Sequence, residues 1–427
     1  MSTRSKPKLK KLPNGLTVVF LKEEAQRTAT ALVLVTTGSK YESKEENGIA
    51  HFLEHMCFKG TTRRPNAMTI SSELDGLGAE YNAFTGHEYT GYYAKVAAAH
   101  LPRALDIIGD IYCDPLLAEE DIEREKGVIA DEINMYEDVP MRKIGDIFMK
   151  TLYGDQPAGW SIAGTKEQIA KFTRKDILRF RKKHYVPTAT TVVVSGNFDE
   201  GEVFRQIKKL FGGLEEGKKV GKKKVNDKQL APALTVAYKE SDQTHIVLGV
   251  RSYPLTHPSF YTLTVLSAVL GGGMSSRLFH KIRVELGLGY YVRASNDAFT
   301  DHGVLAASVG VDNMRAPEVI PAIIEEFERL AEELIDKDEL KKAKDMLAGR
   351  MLLGLESSDE LAEYYGFQWV LRNEFIGPEE AIKRINRVTA KEVRELARKI
   401  FLENRLNLAI IGPWKDDKQF RKQLKFK

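Results

Sequence analysis

The sequence predicts an α+β protein built from two homologous halves, each a mostly antiparallel sheet packed with helices. Three observations predict it. Strands and helices interleave along the 427 residues, yet several strand connections are only hairpin-length, which requires antiparallel pairing. The segment IAKFTRKDILRFRKKHYVPTATTVVVSGNF, starting at Ile169, returns as INRVTAKEVRELARKIFLENRLNLAIIGPW from Ile385, at an ungapped offset of 385 − 169 = 216. Hydrophobic content of 43% and charged content of 29% describe an ordinary globular chain long enough for two or three domains.

Along the chain, Pro13-Asn14-Gly15 reads as a hairpin turn before a strand over Leu16 to Leu21. Thr28 to Thr37 is apolar at nearly every position, so a strand buried on both faces is expected. A helix should lie within the stretch Gly48 to Thr61, and another over Pro65 to Leu77. Tyr81–Phe84 and Tyr89–Val96 are short strands joined by Thr85-Gly86-His87-Glu88. Amphipathic helices follow over Leu101–Tyr112, Ala118–Tyr136, Arg142–Leu152 and Lys175–His184, then a buried strand over Thr190–Ser195. The repeat aligns Thr173 with Thr389, Asp176 with Glu392, Ile177 with Val393, Tyr185 with Phe401 and Gly196 with Gly412. Each copy is a capped helix followed by an apolar strand ending in glycine. Between the halves, Glu215 to Lys224 is dense in charge and lacks periodicity, as a linker does. The expected division is therefore 1–216, a connector over 217–232, and 233–427. Strands at Leu234–Tyr238 and His245–Val250 open the second half.

Several function classes are excluded. A net charge of +4, from 64 basic and 60 acidic residues, gives no bias toward nucleic acid. No apolar run reaches the length of a membrane span, so no membrane partner is expected. Cys57 and Cys113 cannot build a disulfide framework and suit a reducing compartment. The basic start MSTRSKPKLKKLPNG lacks the apolar core of a secretory signal, so a cytoplasmic location is expected.

Chemistry concentrates in GIAHFLEHMCFKGT, Gly48 to Thr61. His51 and His55 are four apart and share a helix face, so both rings can reach one ion. Glu54 lies at the edge of that face, where a carboxylate stands beside a metal-bound water. Burying two imidazoles and an acid on so apolar a stretch without a metal or other partners would cost several kcal/mol, roughly. Imidazole pairs at this spacing suit zinc, which needs at least one more protein ligand. H-x-x-E-H is the inverzincin pattern. Cys57, about 200° around the helix from His55, points away from any such ion.

The helix IEREKGVIADEINMYE supplies candidates for the missing ligand. Glu125 and Glu132 lie two turns apart, in line with Ile122, Ile129, Ile133 and Tyr136. Two carboxylates in an inward-facing apolar stripe need a cation or strong donors. An ion pair with Arg or Lys would satisfy one of them. Two in line, beside a histidine pair short of ligands, favour a metal. Asp131 sits about 100° off the stripe and should be solvated.

With these residues in place, the chain resembles the peptidase family of pitrilysin, insulysin and mitochondrial processing peptidase, over Leu12 to about Pro413. The resemblance implies that Glu132, 77 residues after His55, completes a zinc site with His51 and His55, one Zn2+ per chain. It implies that Glu125 supports the site, that Glu54 is the general base, and that Asn82 and Ala83 bind substrate from the N-A-x-T segment. The GGGMSSRLF run at Gly271 to Phe279 matches as well. Arg283 and Tyr290 match the family's R-x(6)-Y, the Arg holding the peptide and the Tyr stabilising the oxyanion. Gly289-Tyr290-Tyr291 stands where relatives often have Ala-Tyr-Ser, so two rings compete and the spacing favours Tyr290. The second half lacks H-x-x-E-H, and His280, without an acid or a second His at helical spacing, is given no metal role.

The implied protein is a zinc endopeptidase acting on short or unfolded polypeptides, each chain forming half of a clamshell chamber. A homodimer is the natural assembly and a heterodimer with an inactive paralogue the next. The competing reading is a non-catalytic family paralogue serving as a partner subunit.

Overall fold

The computed structural model describes residues 6–426. Eleven strands form two sheets among these residues. The first sheet contains β1 (Lys8–Lys11), β2 (Thr17–Lys22), β3 (Thr28–Val35), β4 (Glu80–Thr85), β5 (Thr90–Ala97) and β6 (Thr190–Gly196). The second contains β7 (Ala233–Tyr238), β8 (Gln243–Ser252), β9 (Tyr291–Ala298), β10 (Gly303–Asp312) and β11 (Asn407–Gly412).

Strand order is β1-β2-β6-β3-β5-β4 in one sheet and β7-β11-β8-β10-β9 in the other. β6 lies parallel to β2 and antiparallel to β3, and β11 lies parallel to β7 and antiparallel to β8. The two sheets therefore share one topology, β1 apart. Shifting β2, residues 17–22, by 216 gives 233–238, the span of β7. The repeated helices Arg174–His184 and Ala390–Ile400 both begin with a capping box, Thr173 with Asp176 and Thr389 with Glu392.

The described chain folds into two compact units. One comprises residues up to Ile133, Ser161–Lys223 and Leu353–Gly377; the other comprises Asn134–Trp160, Lys224–Leu352 and residues from Pro378 onward. One of the five passages between them, at Lys223–Lys224, falls inside the charged stretch.

In the first unit, one face of β3 carries Ala29, Ala31, Val33 and Val35 into a core with Leu105 and Ile108 of the helix Leu101–Cys113. The other face carries Thr30, Leu32 and Leu34, covered by the helix Ser358–Arg372. Ser358 Oγ meets Thr30 Oγ1 at 2.8 Å, and Gly366 lies so close that a methyl there would touch Leu34 and Val193. This cover explains why β3 is apolar on both faces. β3 stops at Val35 because Thr37 N–H turns back to the Val35 carbonyl.

The second unit repeats the arrangement. Ile246, Leu248, Leu305, Leu408 and Ile410 face a core with the helices Phe260–Gly271, Ala316–Glu332 and Ala390–Ile400. Val247, Val304, Ala306, Ala409 and Ile411 face Ile144, Phe148 and Leu152 of the helix Pro140–Tyr153. Each sheet is thus covered on one face by a helix drawn from the other half of the sequence.

Candidate metal centre

Helix α1 (Ile49–Cys57) is built to present three polar side chains on one side. Ile49, Ala50, Phe52, Leu53, Met56 and Cys57 are buried, which leaves His51, Glu54 and His55 on the opposite face. Its first turn is held by a carboxylate from outside the helix. Glu42, buried, accepts from Gly48 N–H at Oε2 and Ala50 N–H at Oε1, both at 2.9 Å, and from the Asn47 amide at 3.0 Å. These are amide groups a helix start leaves without intrahelical partners. Burial pushes the Glu42 carboxyl up to about 8, against the pull of its three donors. Gly48 is required here: its φ is +99°, and a Cβ would sit 2.7 Å from the Ala163 carbonyl oxygen. After α1, helix α2 (Ala67–Gly76) starts two residues later than Pro65 because Asn66 caps it, its side chain accepting from Thr69 N–H.

Helix α3 (Leu101–Cys113) leads to α4 (Glu119–Asp138), which brings the acidic residues. Ile122, Glu125, Ile129 and Ile133 are buried on α4, and Asp131 is exposed as expected. Tyr136, expected on the stripe, is exposed. The stripe therefore ends at Ile133.

His51, His55 and Glu132 form the one cluster of possible metal donors among the described residues. Nε2 of His51 and Nε2 of His55 are 3.3 Å apart, and Glu132 Oε2 lies 3.6 Å from the first and 3.4 Å from the second. A tetrahedral zinc with bonds of about 2.0–2.1 Å needs its ligand atoms about 3.3–3.4 Å apart, so the triangle fits. The three side chains are 13%, 22% and 23% exposed, open enough on one side for a fourth ligand.

His55 Nδ1 lies 2.8 Å from Glu125 Oε1. Donation there aims Nε2 at the cluster, where a metal would take the place of its proton. Burial lowers the pKa of His55, but hydrogen bonds to Glu125 and Glu132 outweigh it and hold the ring up to about 9. Burial and the neighbouring His55 push His51 the other way. Two rings this close do not both carry a proton charge. His51 Nδ1 is buried with no partner among the described residues. The two imidazoles are therefore held unequally, His55 by a carboxylate behind it and His51 by packing.

Glu54 stands beside this cluster, and Thr85 Oγ1 donates to its Oε2 at 2.6 Å. Burial raises the Glu54 carboxyl and the Thr85 hydrogen bond restrains that rise. Thr85 ends β4, and β4 is the free edge of its sheet. Asn82 and Ala83 lie on this edge strand. Ala83 N–H is taken by Asn82 Oδ1 at 2.9 Å, so it faces the open side and not β5.

Arg283 and Tyr290 belong to the second unit. Arg283 lies in a π-helical turn, Phe279–Glu285, and its Nη1 donates to the Gly289 carbonyl. Gly287 and Gly289 both take positive φ, which bends the chain into β9. Tyr290 is 61% exposed, whereas the hydroxyl of Tyr291 is 3.0 Å from His245 Nδ1. Of the two rings, Tyr290 is the more exposed and Tyr291 is the one whose hydroxyl meets a histidine. His280 is exposed and lies near Glu285, outside any donor cluster. Gly272 ends the helix Phe260–Gly271, so the glycine run is a helix terminus.

Sequence reading missed three residues at this site. Glu42 lies outside the helix it caps and carries no pattern. Thr85 was visible as the last letter of N-A-x-T but had no assigned partner. Lys59, one turn past His55, places Nζ 2.6 Å from Glu125 Oε2; its spacing from His55 was a usable signal.

A helix-borne histidine pair completed by a carboxylate from a second helix is a donor set that suits zinc. The chain belongs to the insulinase family, peptidase family M16. Its residues 17–166 match the family model described as insulinase (peptidase family M16), and residues 171–347 match the one described as the peptidase M16 inactive domain. Within that family its relatives include an uncharacterized zinc protease of Mycobacterium leprae, 36% identical, covering 97% of this chain and 93% of the relative. The uncharacterized zinc protease YmxG of Bacillus subtilis is 34% identical, covering 94% and 97%. Among solved structures, a protease from Helicobacter pylori matches with a TM-score of 0.91 and 25% identity over 96% of this chain and all of that one (100%). The peptidase M16 inactive domain structure from Pseudomonas fluorescens shares the fold, with a TM-score of 0.88 at 17% identity over 96% and 99%. No helix among the described residues is long and apolar enough to cross a membrane.

Proposed function

We propose that this chain is a zinc-dependent endopeptidase that hydrolyses peptide bonds in short or unfolded polypeptides. The donor triangle of His51, His55 and Glu132, with Glu54 on the same helix face, is the observation that carries this reading. His51, His55 and Glu132 would hold one Zn2+ per chain. When bound, zinc polarises the scissile carbonyl and makes water acidic enough to attack at neutral pH. Glu54 takes the proton of the attacking water and delivers it to the leaving amine. The hydrogen bond from Thr85 keeps the Glu54 carboxylate turned for that exchange. Glu125 orients His55.

Substrate binding is assigned to the free edge of β4. An extended peptide adding there would pair with the backbone of Ala83, taking over the N–H that Asn82 now satisfies, and would be read with little sequence preference. Arg283 is assigned to the peptide, and the Tyr290 hydroxyl to the developing oxyanion. The exposure of Tyr290, against the engaged hydroxyl of Tyr291, supports this choice.

Each chain carries one metal half and one Arg/Tyr half, so two chains would enclose a chamber. A homodimer follows, with a heterodimer of one inactive paralogue as the next assembly. The two free cysteines support a reducing, cytoplasmic location. The non-catalytic paralogue reading draws only on the second half, whose family model is the inactive domain. It leaves unused the donor triangle in the first.

The test is metal analysis of the purified chain together with cleavage of a quenched, unstructured peptide. One zinc and chelator-sensitive cleavage are expected; bound zinc without cleavage overturns the reading. Mixing Glu54→Gln with Tyr290→Phe chains should restore activity if sites are shared between subunits. Mixtures that exchange subunits and stay inactive count against sharing.

A further inference from the structure

Behind the histidine pair stands a chain of contacts that ends outside the donor set. Glu125 is 3% exposed, and both its oxygens are committed: Oε1 to His55 Nδ1 at 2.8 Å and Oε2 to Lys59 Nζ at 2.6 Å. The ammonium is itself partly exposed, so Lys59 reaches inward from the surface to this carboxylate. Lys59 can do so because α1 ends at Cys57 and Lys59 N–H still bonds the Met56 carbonyl, which holds the residue one turn past His55.

We infer that Lys59 is a positioning residue of the metal site, which locks Glu125 and through it sets the orientation of His55. This rests on the zinc reading given above. A buried carboxylate gripped at one oxygen only must turn to find a second donor, and Oε1 turns with it. His55 then loses the acceptor that aims its Nε2 at Glu132 and His51. Lys59 also balances charge. Glu54, Glu125 and Glu132 set three carboxylates at the histidine pair, and one lysine offsets one of them. His51, with no partner on its far nitrogen, cannot compensate for a loosened His55. The site's affinity for zinc is thus concentrated on one imidazole and the pair of residues behind it.

The experiment measures the zinc dissociation constant of the full chain by competition with a chromophoric chelator, alongside thermal unfolding of the metal-stripped protein. Lys59→Met and Lys59→Gln should weaken zinc binding about 10- to 100-fold, the usual cost of losing an outer-shell partner. Lys59→Arg should stay within about threefold of the parent, because a guanidinium can make the same contact. In a Glu125→Gln background, Lys59→Met should add little, since the residue acts through Glu125. Zinc binding within twofold of the parent in both neutral variants overturns the inference, as does an undiminished Lys59→Met effect in the Glu125→Gln background. If the parent chain binds no zinc, the endopeptidase reading falls and this inference with it. If the parent binds and cleaves while Lys59→Met is unchanged, only this inference falls.

Discussion

Replacing Thr85 with valine removes one hydroxyl while keeping β-branching and very nearly the shape, so β4 should hold its place. What is lost is the 2.6 Å hydrogen bond to Glu54 Oε2. A hydroxyl bond to a carboxylate is worth about 1.5–3 kcal/mol, which corresponds to a rate factor of about 10 to 150 if it is fully felt in the transition state. The effect should fall on kcat and leave KM nearly unchanged, because the hydroxyl faces the base and not the edge where peptide adds. The pH dependence has a definite sign. Burial already raises the Glu54 carboxyl and Thr85 restrains it, so losing Thr85 raises it further. A base must be ionised to act, so the acid limb of kcat/KM should move to higher pH. The assay is cleavage of a quenched, unstructured peptide from pH 5 to 9, with zinc content measured on the same samples and Thr85→Ser as the control that keeps the hydroxyl. A valine variant within threefold of the parent in kcat, or a loss confined to KM, refutes the role given to Thr85.

Three further outcomes follow from the same geometry. Glu54→Gln should lose about 10²- to 10⁴-fold in kcat while keeping its zinc; a parallel loss of metal would place Glu54 among the ligands instead. Gly48→Ala must adopt φ +99° with its methyl 2.7 Å from the Ala163 carbonyl, at a cost of about 1–3 kcal/mol, and a lowered Tm with weaker zinc binding is expected; an unchanged Tm contradicts it. His184 is buried, and burial together with Lys183 depresses its pKa from 6.5 to about 4, so the folded chain binds fewer protons there than the unfolded chain. Its contribution to stability is therefore full above about pH 6.5 and declines as the pH falls toward 4, by about 2 kcal/mol between pH 7 and pH 5. Urea unfolding of His184→Gln should show that much less loss over the interval, and an equal loss would remove His184 from the account.

Much of the site was legible because it rests on periodicity. His51, Glu54 and His55 share a face for the reason any i, i+3, i+4 set does, and Glu125 joined Ile122, Ile129 and Ile133 through the same arithmetic. The repeat also carried through, since β6 and β11 occupy equivalent positions in sheets of the same topology. Contacts that depend on tertiary approach were not legible. Nothing in the spacing of Glu42 announces that its carboxylate closes the first turn of α1. The all-apolar run of β3 required a cover on both faces, but not that residues 358–372 supply one of them. Tyr136 left the stripe because α4 runs on past the core that buries Ile133. The contact of the Tyr291 hydroxyl with His245, 46 residues earlier, was likewise invisible in the sequence.

The long-range cover on the first sheet has a consequence for how the chain is made. All six strands have been synthesised by Gly196, yet the helix that closes their second face ends at Arg372, 372 − 196 = 176 residues later. At about 5–20 residues per second, a strip including Leu32, Leu34 and Val193 waits roughly 10–35 s on the ribosome for its lid. Hydrophobic surface of that kind invites chaperones and neighbouring nascent chains for as long as it is open. Slowing translation before Ser358 should therefore lower soluble yield even though no strand of that sheet is missing.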